Sequence, residues 1–175
     1  TVRGENVRLR YPEGVRSLTS IMSTTGRRTV GWQDPRILPA MLAPKGTDLE
    51  SYVAVSAKMG ALIGSPGYPE PADSARARAE TTFSRGLSGA GVLRQMMAVL
   101  SQKDRAPRLR ELNLPAAVIH GMADRMVHPS GGRATAQAIR GANLLLIPGM
   151  GHDLPPELFG TYVEVIRQTA DRARS

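Results

Sequence analysis

Apolar and polar positions alternate with two different periods along this chain. Residues 15–26 (VRSLTSIMSTTG) set Val15, Leu18 and Ile21 among small polar and β-branched residues, a pattern that predicts a buried strand opening into a Ser/Thr/Gly loop. After a turn at 113–115, the run 116–120 (AAVIH) predicts a short buried strand, and NLLLIPG at 143–149 predicts another. Between these last two, the stretch 123–142 predicts a loop and then a helix that Gly141 can terminate. The closing segment 155–175 predicts a helix with Phe159, Tyr162, Val163 and Ile166 on one side.

From 27 to 108 the period is helical. Thr47 and Glu50 have capping-box spacing. Tyr52, Val53, Met59, Leu62 and Ile63 then recur on one helical face until GSPGYPEP at 64–71 stops the helix. A second helix is expected over 72–85. A third is expected from Ser88, with Val92, Met96, Val99 and Leu100 as its apolar stripe and the Met96 and Met97 pair as core filler. Residues 1–14 are polar, predicting a short helix or strand followed by a turn at 12–14. Strand and helix alternate with near-continuous apolar strands, which is the signature of parallel α/β units. The predicted organisation is an α/β core over 1–26 and 109–175, interrupted by a helical insertion over 27–108.

Composition narrows the function classes. The 175 residues are 41% hydrophobic, without an apolar run long enough for a membrane span and without a basic-then-apolar leader. No membrane partner and a cytoplasmic location are therefore expected. The absence of cysteine removes disulfides, Cys-based metal sites and Cys nucleophiles. A formal charge of +8 invites a nucleic-acid reading. The Arg residues are scattered among acids, however, and only 4% of residues are aromatic, so neither a basic stripe nor a row of stacking rings is available. No specific nucleic acid is expected.

Candidate chemistry gathers at the ends of the two C-terminal strands. Asp124 follows AAVIHG and His152 follows NLLLIPG. In an open parallel sheet both loops emerge at the carboxyl ends of neighbouring strands, where ligands bind. A carboxylate there can hold an imidazole by its Nδ1–H and stabilise the imidazolium formed in proton transfer. The alternative is that Asp124 initiates a turn and His152 is a hydrogen-bonded loop histidine. His120, at a strand end, reads as structural, and His128, beside Pro129, as solvent-facing. A three-histidine metal site lacks the usual ligand spacing.

HGMADRMV (120–127), SGGRATAQAI (130–139) and LLLIPGMGHDLP (144–155) together resemble the C-terminal half of an α/β-hydrolase. The likeness is to small-molecule esterases of the aclacinomycin methylesterase-like kind, and it covers nearly everything after Tyr11. H-G-x-x-D-x-x-V with P-G-x-G-H is the specific pair of motifs. The resemblance implies a partial α/β-hydrolase fold of class α/β, with C-terminal parallel strands and a helical cap over 27–108. It implies Asp124 as triad acid, His152 as general base and no cofactor. The family's nucleophile elbow, G-x-S-x-G, should precede both, yet the stretch before YPEGVRSLTS reads TVRGENVRLR and holds no serine. GLSGA around Ser88 has Ala90 where the second glycine belongs and is better placed as a helix N-cap. Ser20 and Ser23 lack glycine flanks. The expected function is hydrolysis of a small apolar carboxylic ester by a Ser-Asp-His triad of which only Asp124 and His152 are present. The alternatives are a catalytically inactive truncated fragment or vestigial binding module, and a relative with an Asp nucleophile. The expected partners are a small-molecule ester and either a complementary N-terminal fragment or self-association through open sheet edges.

Overall fold

β2, Ala116–Gly121, is buried at every position. A strand of apolar and β-branched residues buried on both faces is a central strand. The structure, a computed structural model, describes residues 14–173, and in it β2 pairs in parallel with strands on both sides. β1, Leu18–Ile21, runs from Leu18 opposite Ala116 to Ile21 opposite Ile119. β3, Asn143–Ile147, runs from Asn143 opposite Ala117 to Ile147 opposite Gly121. The sheet order is β1-β2-β3. The sequence expectations for 1–13 lie outside the described residues.

Helices fill both crossovers. Between β1 and β2 come α1 (Ile37–Leu42), α2 (Leu49–Ile63), α3 (Ala72–Ser84), α4 (Gly89–Leu100) and the short α5 (Ala106–Leu109). α6 (Ser130–Ala138) joins β2 to β3, and a 3-10 turn at Pro156–Leu158 leads into α7, Phe159–Asp171. The period-2 alternation of β2 divides the core in two. On one face Ala116 packs with Leu18, Leu109, Ala138 and Ile139, beneath α5 and α6. On the other, Ile119 packs with Ile147, Met150, Leu158 and Tyr162, beneath α7. Val118 and Ile119 are fully buried, which contributes about 1.5–3 kcal/mol for each side chain.

Several local predictions shift by a residue or a face. Within 15–26 the strand gives way to the expected loop after Ile21, where Met22 takes a left-handed φ of 48° that an extended segment does not continue through. The capping box on α2 is built from Asp48 and Ser51, not Thr47 and Glu50: the Asp48 carboxylate accepts from Ser51 N at 2.9 Å. A charged acceptor at a helix start also complements the macrodipole, which a threonine hydroxyl does less well. Ser88 is the N-cap of α4, accepting from Gly91 N at 3.0 Å. α6 ends at Ala138, before Gly141, because Ile139 is extended (φ −98°, ψ 117°) and buries its side chain in the core.

Two apolar stripes face outward. α4 has no buried residue, and Val92, Leu93, Met97, Val99 and Leu100 are exposed. The Met96 and Met97 pair is therefore not core. On α7 the inward face is Tyr162 and Thr169, while Phe159, Val163 and Ile166 are exposed. Among the described residues no helix is long and apolar enough to cross a membrane.

Gly121 is the tightest point of the sheet: a Cβ there would lie 2.2 Å from Met150 O and 2.6 Å from Gly151 O. Gly60, inside α2, faces open space. Gly121→Ala should therefore destabilise the chain by about 1–3 kcal/mol through overpacking. Gly60→Ala should stabilise it by up to about 1 kcal/mol through helix propensity. Urea midpoints that move in opposite directions are the expected result, and a harmless Gly121→Ala would contradict the packing described.

Candidate active site

The turn after β2 and the loop after β3 are bonded to each other before any side chain is considered. Met122 N donates to Ile147 O at 2.9 Å and Ala123 N to Met150 O at 2.9 Å. Asp124 follows directly, and its Oδ1 accepts from Met126 N at 2.9 Å and Val127 N at 2.8 Å. This Asx-type turn is a local preference of aspartate. It also fixes the carboxylate plane, so that Oδ2 points at the loop after β3. There His152 Nδ1 lies 2.8 Å from Asp124 Oδ2. The two residues singled out from the sequence are thus brought together, with one oxygen of Asp124 accepting from its own turn and the other facing His152.

The hydrogen-bond partners set the tautomers. A carboxylate only accepts, so the proton of neutral His152 is on Nδ1. Nε2 keeps a lone pair and has no partner among the described residues. The His152 side chain is 28% exposed, while that of Asp124 is fully buried. His120 is arranged oppositely. Its Nε2 faces Val127 O at 2.8 Å and Asp124 Oδ2 at 3.3 Å, so Nε2 carries the hydrogen and the carbonyl takes the better share. Its Nδ1 is buried without a hydrogen-bond partner, packed against Gly132, where a Cβ would approach it to 2.5 Å. His128 is half-buried rather than solvent-facing: its ring stacks on Trp32 at 4.2 Å and 14°, and its Nδ1 accepts from Ser130 N at 3.2 Å. Among the described residues no three His, Asp or Glu side chains form a group that could hold a metal ion.

Burial alone would push the Asp124 carboxyl up, and it is the largest single influence. The N–H groups of His120 and His152, the positive charge His152 can carry and the Val127 N–H together outweigh it, so the carboxyl titrates below its ordinary value. Asp124 therefore stays ionised beside an imidazole that can accept a proton at its far nitrogen.

A cleft of about 660 Å³ opens beside this pair. Ala57, Ala61 and Leu62 of α2 and Ala75 of α3 give it small apolar walls, with Met122 and Ala123 opposite. Arg78 lines it and is neutralised by Glu70 through contacts of 3.0 and 2.7 Å. Asp124 and Asp153 also line it. His152 lies outside that wall, between Asp124, to which its ring is bonded, and Asp153, its neighbour in sequence. Of the candidate serines, Ser88 is exposed at its helix cap, and Ser20 and Ser23 are 0% and 3% exposed on or just after β1. Ser65 was missed by pattern reasoning, which used its segment only as a helix stop. It is buried and lines the cleft, and no local motif announces its contacts, which are made with residues more than 80 positions away.

No protein-family model matches the sequence. Solved structures do resemble the chain. An enol-lactonase from Burkholderia xenovorans LB400 superposes with a TM-score of 0.72 at 18% identity, covering 97% of this chain and 62% of that one. The meta-cleavage product hydrolase CumD from Pseudomonas fluorescens IP01 gives 0.68 at 18% identity, over 97% and 60% of the two chains. An esterase from Rhodococcus sp. ECU1013 gives 0.61 at 20% identity, over 95% and 60%. The chain thus spans about three fifths of the length of these structures. They have the α/β-hydrolase fold, and this chain has part of it, with three parallel strands and their helices.

The lowered Asp124 titration has a signed consequence. Its folded value lies below the unfolded value of about 3.9, so its contribution to stability is complete above that pH and is lost as pH falls through the folded value. Asp124→Asn should remove about 1.5–3 kcal/mol at neutral pH, the worth of hydrogen bonds to a buried charged group. It should also flatten the acid limb of the stability profile. Urea unfolding between neutral pH and the acid limit measures both. Parallel pH profiles for the two proteins would show that the Asp124 pairing does not operate.

Proposed function

We propose that Asp124 and His152 are the acid and base of a Ser-Asp-His hydrolase acting on carboxylic esters of small apolar compounds. The observation that carries this reading is the 2.8 Å contact between His152 Nδ1 and Asp124 Oδ2, made at the carboxyl ends of adjacent parallel strands. That contact leaves the Nε2 lone pair as the proton acceptor, which is what a general base requires. The part-α/β-hydrolase fold supports the reaction class, and the names enol-lactonase and esterase among the similar structures favour ester-type bonds. The small apolar walls of the cleft and its internally neutralised Arg78 favour an uncharged substrate.

The chemistry then runs as follows. A serine hydroxyl gives its proton to His152 Nε2 while its oxygen attacks the ester carbonyl. The imidazolium, stabilised by Asp124, returns that proton to the departing alkoxide. Water repeats the sequence on the acyl-serine and releases the acid. No G-x-S-x-G occurs among these 175 residues, so the serine is assigned to an N-terminal segment, in the same polypeptide or in a complementary fragment. The edge of β1, which pairs only with β2 among the described strands, is the place such a segment would extend the sheet. Residues 27–108 act in this reading as the cap, and 1–26 with 109–175 as the core.

Hydrolysis of p-nitrophenyl esters tests the proposal. The chain alone should show no turnover above buffer. Supplied with a segment bearing G-x-S-x-G, it should turn over, and His152→Ala should lower kcat by about 10⁴-fold or more. Turnover by the complemented protein that survives His152→Ala would refute the assignment of the base. No turnover with any such segment would favour the competing reading of a non-catalytic module.

A further inference from the structure

The backbone around His152 is held mainly from outside its own loop. His152 N donates to Ile63 O at 2.7 Å, and Gly67 N donates to Gly149 O at 2.9 Å. Gly151 N donates to Ser65 Oγ at 2.8 Å, and Ser65 Oγ in turn donates to Asp153 Oδ1. Every one of these contacts reaches across to the segment that ends α2. The approach is backbone to backbone: a Cβ on Gly151 would lie 2.2 Å from Gly64 O, and one on Gly67 would lie 2.9 Å from the Gly149 Cα.

We infer that Ser65 is a positioning residue for His152. Ser65 is 4% exposed, so both the lone pair and the proton of its hydroxyl must find protein partners. They find them on the residue before His152, through Gly151 N, and on the residue after it, through the Asp153 carboxylate. One side chain thus clamps both neighbours of the base and fixes the backbone from which the imidazole reaches Asp124. Ser65 and Gly64 also line the cleft. The catalytic meaning of this clamp rests on the function proposed above, but its test does not.

The test is solvent exchange of the two histidine ring protons in the chain itself, followed by proton NMR. His152 Nδ1–H, bonded to Asp124, is the reporter. His120 Nε2–H shares the Asp124 carboxylate at 3.3 Å but is held first by Val127 O at 2.8 Å, and it serves as the internal reference. Ser65→Ala removes two buried hydrogen bonds and should speed exchange at His152 by about tenfold or more, since loss of even one shifts a local opening equilibrium by that much, and leave His120 unchanged. Ser65→Thr, which keeps the hydroxyl, should restore the slow rate. Should Ser65→Ala unfold, Ser65→Cys keeps the volume, weakens only the hydrogen bonds and should give the same selective acceleration. Unchanged exchange at His152 overturns the inference. Equal acceleration at both histidines overturns it too, since Ser65 would then only support the fold. Failure of ester hydrolysis leaves this result untouched.

Discussion

A single buried carboxylate organises the carboxyl end of this sheet. Asp124 accepts from two backbone N–H groups at one oxygen and faces two imidazoles at the other. An ionised carboxylate removed from water costs several kcal/mol unless its lone pairs are filled, and here the donors come from three stretches of chain. Met126 and Val127 close the turn after β2. His120 comes from the end of β2 itself, and His152 from the loop after β3. The carboxylate therefore holds its loops together because they alone can satisfy it. The same demand fixes which nitrogen of each histidine carries the proton, and so leaves His152 Nε2 as an acceptor.

The surrounding structure is shaped to let these parts meet. β2 is buried on both faces, and Gly121 at its end and Asp124 just beyond it are buried as well. Glycine at 121 and 132 removes the side chains that would otherwise strike Met150 O and the His120 ring. Ser65 and its neighbours then bring the end of α2 into direct backbone contact with the His152 loop. His152 is thus supported from its carboxylate side by the sheet and from its backbone side by the end of α2. The α/β-hydrolase fold seen here includes this C-terminal part, and it spans three fifths of the similar solved structures.

Much of this was legible in the sequence, for physical reasons that can be stated. The strands at 116–121 and 143–147 show as apolar runs because buried parallel strands carry no solvent face. Asp124 and His152 stand out because polar residues that directly follow such runs lie at the carboxyl ends of strands. Ser88 was readable as an N-cap because capping is a contact within three residues. What was not legible is nonlocal or depends on which face finds a partner. Helical spacing placed Val92, Val99 and Leu100 on a stripe, and likewise Phe159, Val163 and Ile166, but spacing does not say whether another element covers the stripe, and these are exposed. Asp48 and Ser51 displaced Thr47 and Glu50 because a one-residue shift of the helix start preserves the spacing rule while changing the acceptor. The Ser65 clamp and the second imidazole on Asp124 join residues whose relation only the folded chain creates.

The central claim is that Asp124 holds His152 as the Nδ1–H tautomer, with Nε2 free to accept a proton. Long-range proton–nitrogen NMR correlation of the uniformly ¹⁵N-labelled chain, recorded where the imidazoles are neutral, reports directly which ring nitrogen bears the hydrogen. The account predicts Nδ1–H for His152 and the opposite tautomer, Nε2–H, for His120. A His152 ring protonated on Nε2, or one that averages between both nitrogens, would contradict it.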